Sequence, residues 1–488
     1  MKTCVMIGGG LGGLVTGALL AKEGWQVTVL EKNAIVGGGL QTFQRHGVSF
    51  PTGMHVFGGF SEGGNMQRLF SYLGVLDRIK LRQMDSNASD VVTLLDEGLT
   101  YRLPQGKEQY VAYLSEHFPA EKENIKNYVH RLFGLTEEED LFYLRESPAQ
   151  HPSHSDDFMG SVDRLRDTYL FDLRLKYLLS YLNPLFGGAP QTTPAYIHAL
   201  LQTLHINGTY QFVDGSQQLA DALTTVIEKA GGRVVADEEV VRIAVEGRRV
   251  TGVYTRKGQC YQADSYVSDV HPDVLLRIID PQAFTTAFKT RIHSVPETAS
   301  SFKMYVKLKD KAFPYCNHAR FCLSHSNTWP QRLMFVTPPV QHQGDYAETL
   351  VVIAPMDFAQ VKPWEHTLTG HRGEEYKLWK LEMMNRMKAF MEKVYPGFSN
   401  CIEFAFAASP LTIRDYYGNK EGSNYGFQRD SRNQMLSQLS VTTKVENLFL
   451  TGQNVNIHGL CGVSLTAIET TEALEGHNTI VRKINESR

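Results

Sequence analysis

The sequence predicts an α/β chain: a parallel-sheet nucleotide-binding domain interrupted by a mixed-sheet segment and a helical one. Three observations lead there. The N-terminus reads apolar run, glycine-rich turn, helix, apolar run; an αβ unit with paired short strands lies near the middle; a strand, a glycine-bearing loop and a helix close the chain. At 488 residues there is room for two or three domains and a large buried core.

CVMI, residues 4–7, suits a strand buried on both faces. The following turn carries G-x-G-x-x-G at Gly8, Gly10 and Gly13. Gly8 permits the tight turn, Gly10 lets a pyrophosphate approach the backbone, and Gly13 lets helix and strand pack closely. LVTGALLAKEG reads as a helix ending at Gly24, whose N-terminus offers free N–H groups to phosphates. WQVTVLE is a second strand closing on Glu31, about where an acid meets ribose hydroxyls. An acid there disfavours a 2′-phosphate, hence NADP. A second glycine cluster, Gly37-Gly38-Gly39, follows at once, and then a short strand pair with Gly47 and Gly53.

The middle block, FVDGSQQLADAL through SDVHP (212–272), reads as turn, amphipathic helix, strand and a strand–turn–strand pair. The third block, NLFLTGQNVNIHGLCGVSLTAIETTEALEG (447–476), reads as a strand, a polar loop from Asn454 to Gly462 and a helix closed by Gly476. Together the three blocks resemble the FAD-dependent phytoene desaturase, carotenoid isomerase and retinol saturase-like family. FPTGMHVFGGF, PAYIHALLQTLHINGTYQFVDG and SPLTIRDYYGNKEGSNYGFQRD are similar to the last two branches. Many members carry Arg after the second glycine pair, where this chain has Gly39.

The resemblance implies FAD as cofactor and an α/β architecture: an FAD-binding Rossmann-like domain of the glutathione-reductase type, an inserted mixed-sheet substrate domain and a helical cap. It places FAD against Gly8, Gly10, Leu11, Gly12, Gly13, Glu31, Lys32, Gly38, Gly39, Leu40, Val240 (by its backbone, at the adenine), Gly452, Gln453, Gly462 and Val463. The last helix starts under the flavin, where its dipole stabilises charge built on reduction. The FAD-binding domain is expected from 1–75, 209–285 and 443–488, the helical, membrane-facing cap from 105–208, and the substrate domain from 76–104 and 286–442. YVAYLSEHF, NIKNYVHRLFGL and YLFDLRLKYLLSYLNPLFGG carry the helical pattern of the cap, FKMYVKLK and TLVVIAP the alternation of strands. The methionine face of WKLEMMNRMKAFMEKVYPG is read as core packing.

The implied reaction is hydride transfer at flavin N5 on C–C or C=C bonds of a polyene or isoprenoid lipid, as desaturation, saturation or isomerisation. Such chemistry needs a long apolar slot with few polar groups. Two alternatives stay open: a flavoprotein amine oxidase, and a flavin-bearing lipid-binding protein without redox turnover. His55 and His458 are the candidate acid–base residues, expected to titrate near neutrality. Asp415, Tyr416 and Glu421 are weaker substrate-side candidates.

Other chemistries find no support. HPSHSDD, with His151, His154, Asp156 and Asp157, is read as a solvated turn, and Cys316, His318 and Cys322 lack zinc-site spacing, so no metal is expected. A Walker lysine, a G-x-S-x-G elbow and a second dinucleotide fingerprint are absent, leaving the electron partner unknown. A net charge of −3 without a basic stripe gives no reason to expect a nucleic-acid partner. Six scattered cysteines suit a reducing cytoplasm. No stretch approaches the ~20 apolar residues of a membrane span, so any membrane contact is expected to be peripheral.

Overall fold

A computed structural model describes residues 1–148, 154–189 and 191–487. Five strands form a wholly parallel sheet in the order Arg233–Val235, Gln26–Leu30, Thr3–Ile7, Ser265–Ser268, Leu448–Leu450. Its central strands are nearly continuous apolar runs because both faces are covered, one by helices and the other mainly by the antiparallel strands Val240–Glu246 and Arg249–Thr255. Helix Leu11–Lys22 packs between helices Gln217–Lys229 and Gly459–Glu475. A buried Thr16–Thr451 hydroxyl pair, at 3.0 Å, ties this first helix to the end of the last strand.

The second sheet is mixed and has seven strands, ordered Ile402–Ala408, Ser300–Leu308, Thr349–Met356, Arg332–Val336, Ala319–Leu323, Asp90–Leu94, Leu99–Leu103. Only Ala319–Leu323 and Asp90–Leu94 pair in parallel. Alternation divides its faces. Phe302, Met304, Val352, Ala354, Leu333, Phe335 and Cys322 form one apolar cluster with Met383, Met387 and Met391 of the long helix Gly373–Val394. The methionine stripe is therefore core, as expected. The opposite face presents Ser301, Lys303, Ile353, Pro355, Arg332, Met334, Phe321 and Leu323 to a large cavity.

Helices Lys107–His117, Lys122–Glu137, Val162–Tyr169 and Ala195–Asn207 make up most of the remaining layer. The apolar stretch after Tyr169 does not form one long helix. Asp172 caps a short helix, Leu173–Leu178, by accepting from the Leu175 N–H at 2.9 Å, and a 3₁₀ turn at Asn183–Phe186 follows. The closing helix also starts earlier than the sequence suggests, at Gly459. Gly462 and Val463 thus lie in its first turns rather than in or after a loop. Bare backbone at Gly462 lets that turn press on Ile457, only 2.6 Å from where a Cβ would stand. Among the described residues no helix is long and apolar enough to cross a membrane.

Candidate active site

The cavity, about 640 Å³, runs from the glycine turns of the five-stranded sheet to the free face of the seven-stranded one. At its first end Gly8, Gly10, Leu11 and Gly12 lead into a helix whose first N–H groups have no intrahelical acceptors. Close packing keeps this loop bare. A Cβ on Gly12 would stand 2.4 Å from Asp269 Oδ1, and one on Gly13 would stand 2.1 Å from the Gly8 carbonyl. The second glycine turn faces the first: the Gly37 N–H donates to the Gly9 carbonyl at 2.7 Å, and Gly38 comes within 3.3 Å of the Gly10 Cα by the same measure. Such a double cradle of backbone at a helix N-terminus fits a dinucleotide diphosphate.

Two carboxyl groups, Glu31 buried and Asp269 partly buried, frame the cradle. Glu31 accepts from the Gly9 N–H at 2.9 Å and the Asn33 N–H at 2.8 Å, and it lines the cavity. Asp269 accepts from the Gly13 N–H at 2.9 Å. Burial pushes its carboxyl up to about 7; the Gly13 bond opposes the rise and the charge of Glu31 adds to it.

Beyond the cradle stand His55, Lys303, Tyr417, Tyr425, Asn454 and His458. Neither histidine titrates near neutrality, contrary to the sequence expectation. Burial, then the nearby Lys303 charge, pushes His55 down to about 3; burial, then Arg429, does the same to His458. Both are neutral imidazoles at pH 7. Both His55 nitrogens are buried without a partner, and the His458 ring lies 4.7 Å from that of Tyr425. Lys303 donates to the Thr52 carbonyl at 2.8 Å, and burial lowers its ammonium to about 8.

The far part is lined by Leu201, Leu204, Phe321, Leu323, Met334 and Ile353, with Tyr181, Asn183, His205 and Arg332 as its polar members. His205 Nδ1 meets Asp90 Oδ2 at 2.8 Å, and the Tyr181 hydroxyl donates to the same oxygen at 2.9 Å.

Of the expected cofactor contacts, Gly8, Gly10, Leu11, Gly12, Glu31, Lys32, Gly38, Gly39, Leu40, Val240, Gln453 and Val463 line the cavity, as do His55 and His458. Gly13, Gly452 and Gly462 stand behind the wall, where they allow close packing. Tyr416 reaches the cavity, whereas Asp415 is held in ion pairs by Arg372 and Arg414, and Glu421 sits in a left-handed turn outside it. His151 lies outside the described residues; His154 stacks on Phe158 and Asp157 pairs with Arg131. Sequence reading missed Asp269, Lys303, Arg332 and the Asp90–His205 pair. For Asp269 a signal existed, since it directly follows the strand Ser265–Ser268.

Comparison with known proteins agrees with this geometry. The family model for flavin containing amine oxidoreductase matches residues 11–463. The chain is 26% identical to all-trans-retinol 13,14-reductase of Rattus norvegicus, over 97% of this chain and 86% of that one. It is 22% identical to the chloroplastic prolycopene isomerase 1 of an Oncidium hybrid cultivar, over 92% and 79% respectively. Among solved structures, an oxidoreductase from Methanosarcina mazei superposes with a TM-score of 0.67 at 16% identity, covering 97% of this chain and all of that one.

Proposed function

The chain belongs to the flavin containing amine oxidoreductase family, and on that premise we propose that it is an FAD-dependent oxidoreductase acting on carbon–carbon bonds of a polyene or isoprenoid lipid. One observation carries the reading: a single cavity joins the glycine cradle to an apolar sheet face, so a dinucleotide and an apolar chain have adjoining seats. The likeness to a retinol reductase and a prolycopene isomerase supports the substrate class.

The residues present fit FAD. Gly8, Gly10, Leu11 and Gly12 would hold the diphosphate, with Gly13 keeping the helix close enough to do so. Glu31 and Lys32 would meet the ribose, the Val240 backbone the adenine, and Gly38, Gly39 and Leu40 the diphosphate and ribityl chain. Gln453 and Val463, backed by Gly452 and Gly462, would border the flavin at the start of helix Gly459–Glu475, whose dipole favours negative charge there. Bound FAD supplies hydride transfer.

His55 and His458, neutral at pH 7, orient the reacting groups through single N–H donors. Lys303 holds a proton that leaves at about pH 8, which suits an acid or base working near neutrality. The apolar wall of Leu204, Phe321, Met334 and Ile353 excludes water from the chain lying on it. We assign 1–75, 209–285 and 443–488 to the FAD-binding domain, 76–104 and 286–442 to the substrate domain, and 105–208 to the cap. Phe171 and Leu173, 65% and 79% exposed, give the cap an apolar tip suited to a membrane surface, and the scattered cysteines support a cytoplasmic location.

The test is the visible spectrum of the purified protein, recorded anaerobically before and after a polyene is added. Bleaching of an oxidised flavin band supports desaturation, and polyene-driven recovery of a prereduced band supports saturation. Bleaching by amines alone would overturn the substrate class in favour of amine oxidation. Bound polyene with no isomerised product and no spectral change in either redox state would mean lipid binding without turnover.

A further inference from the structure

We infer that the far end of the cavity is a carboxylate-binding station centred on Arg332, so that the molecule it admits is an apolar chain ending in a carboxylic acid. The inference deepens the lipid reading above and rests on it.

Strand register locates the station. Lys303, Ile353, Met334 and Phe321 form one row across the cavity face, and Arg332, paired with Leu323, lies in the next row. Two strand spacings and one two-residue step separate the Lys303 and Arg332 Cα atoms by roughly 12 Å. The surface between them is apolar, built from Ile353, Pro355 and Met334. An apolar chain can span the gap with one end at Arg332 and a reacting bond near Lys303.

Arg332 is partly buried and lacks a counter-charge. Its Nη1 donates to the Ser180 carbonyl at 3.4 Å, and among the described residues no carboxylate forms an ion pair with it. The acid on the same side of the cavity, Asp90, is engaged through Oδ2 by His205 and Tyr181, its Oδ1 has no partner, and it forms no ion pair with Arg332. A guanidinium taken from water without an anion is costly, so a site that keeps one expects the ligand to bring the charge. The planar fork matches a carboxylate bidentately, and one such charge balances one guanidinium. An alcohol would leave that charge unbalanced, and a phosphate dianion would bring too much.

The FAD-loaded full-length protein is titrated with a retinoid carboxylic acid, its methyl ester, its alcohol, a saturated acid of matched length and an alkyl phosphate, with quenching of tryptophan fluorescence as readout. The acid is expected to bind at least about tenfold tighter than its ester, the size of one charge-assisted hydrogen bond. R332Q should abolish that preference while leaving ester affinity within about twofold, and R332K should retain part of it. Equal binding of acid and ester to the wild type overturns the station, whether or not any variant folds. So does an R332Q protein that loses both ligands alike, or tighter binding of the phosphate. If the saturated acid binds through Arg332 and no polyene binds, the station stands and the polyene reading falls. If polyene ester and alcohol bind but the acid gains nothing, the reverse holds.

Discussion

Gly12 has no room for a side chain, because its Cβ would meet Asp269 Oδ1 at 2.4 Å and the Gly452 Cα at 2.9 Å. Gly12→Ala is therefore expected to lose most bound flavin, read as the ratio of visible to protein absorbance. Asp269 itself has a carboxyl raised from 3.8 to about 7, so its native form prefers the proton. The stability this contributes is complete below about pH 4 and is lost as the pH rises towards 7. Asp269→Asn keeps an acceptor for Gly13 without that titration. Its melting temperature relative to wild type should therefore rise between pH 4 and 7 and then level off. Lys303 has the opposite sense: burial lowers its ammonium from 10.5 to about 8, so wild-type stability falls as the pH drops through that window. Lys303→Met should gain more thermal stability at pH 7 than at pH 10, while turnover falls by about 10²–10⁴ if Lys303 moves the proton.

The long helix Gly373–Val394 is held to the seven-stranded sheet by methionines on the face away from the cavity. Met387 is fully buried there, and Met387→Ala should destabilise by about 2–5 kcal/mol in chemical unfolding, with flavin content per folded molecule unchanged. That stripe was legible in the sequence because helical spacing shows which face is apolar. The glycine turns were legible too, since strand, turn, helix and acid stand in one continuous stretch. Lys303 and Arg332 were not. Their strands show only that alternate residues share a face; what that face meets depends on segments hundreds of residues away. Arg332 faces the cavity because Thr349–Met356 and Ala319–Leu323 lie on either side of its strand in that register. The Asp90–His205 pair, 115 positions apart, needs the helix Ala195–Asn207 to close over the strand Asp90–Leu94. The early start of the last helix escaped notice because Gly459 and Gly462 read as loop residues, while packing on Ile457 favours them in a helix.

At the scale of the whole molecule, the apolar tip formed by Phe171 and Leu173 lies about ten residues before Tyr181 and Asn183 of the cavity wall, in the same stretch of chain. Replacing both with serine is expected to abolish flotation with liposomes while the flavin spectrum stays unchanged; undiminished flotation would remove the cap from the membrane reading. The five-stranded sheet has a further consequence, for biosynthesis. Its centre is made of residues 3–7, one neighbour comes from 265–268, and an edge from 448–450. While the nascent chain is leaving the ribosome, the first two strands and the glycine turn emerge long before the partners that complete their sheet. Contacts so distant along the chain close slowly and leave apolar strand edges uncovered meanwhile. The sheet behind the cradle closes only once Leu448–Leu450 has been made. The strand that completes it is thus made more than 400 residues after the glycine turn itself.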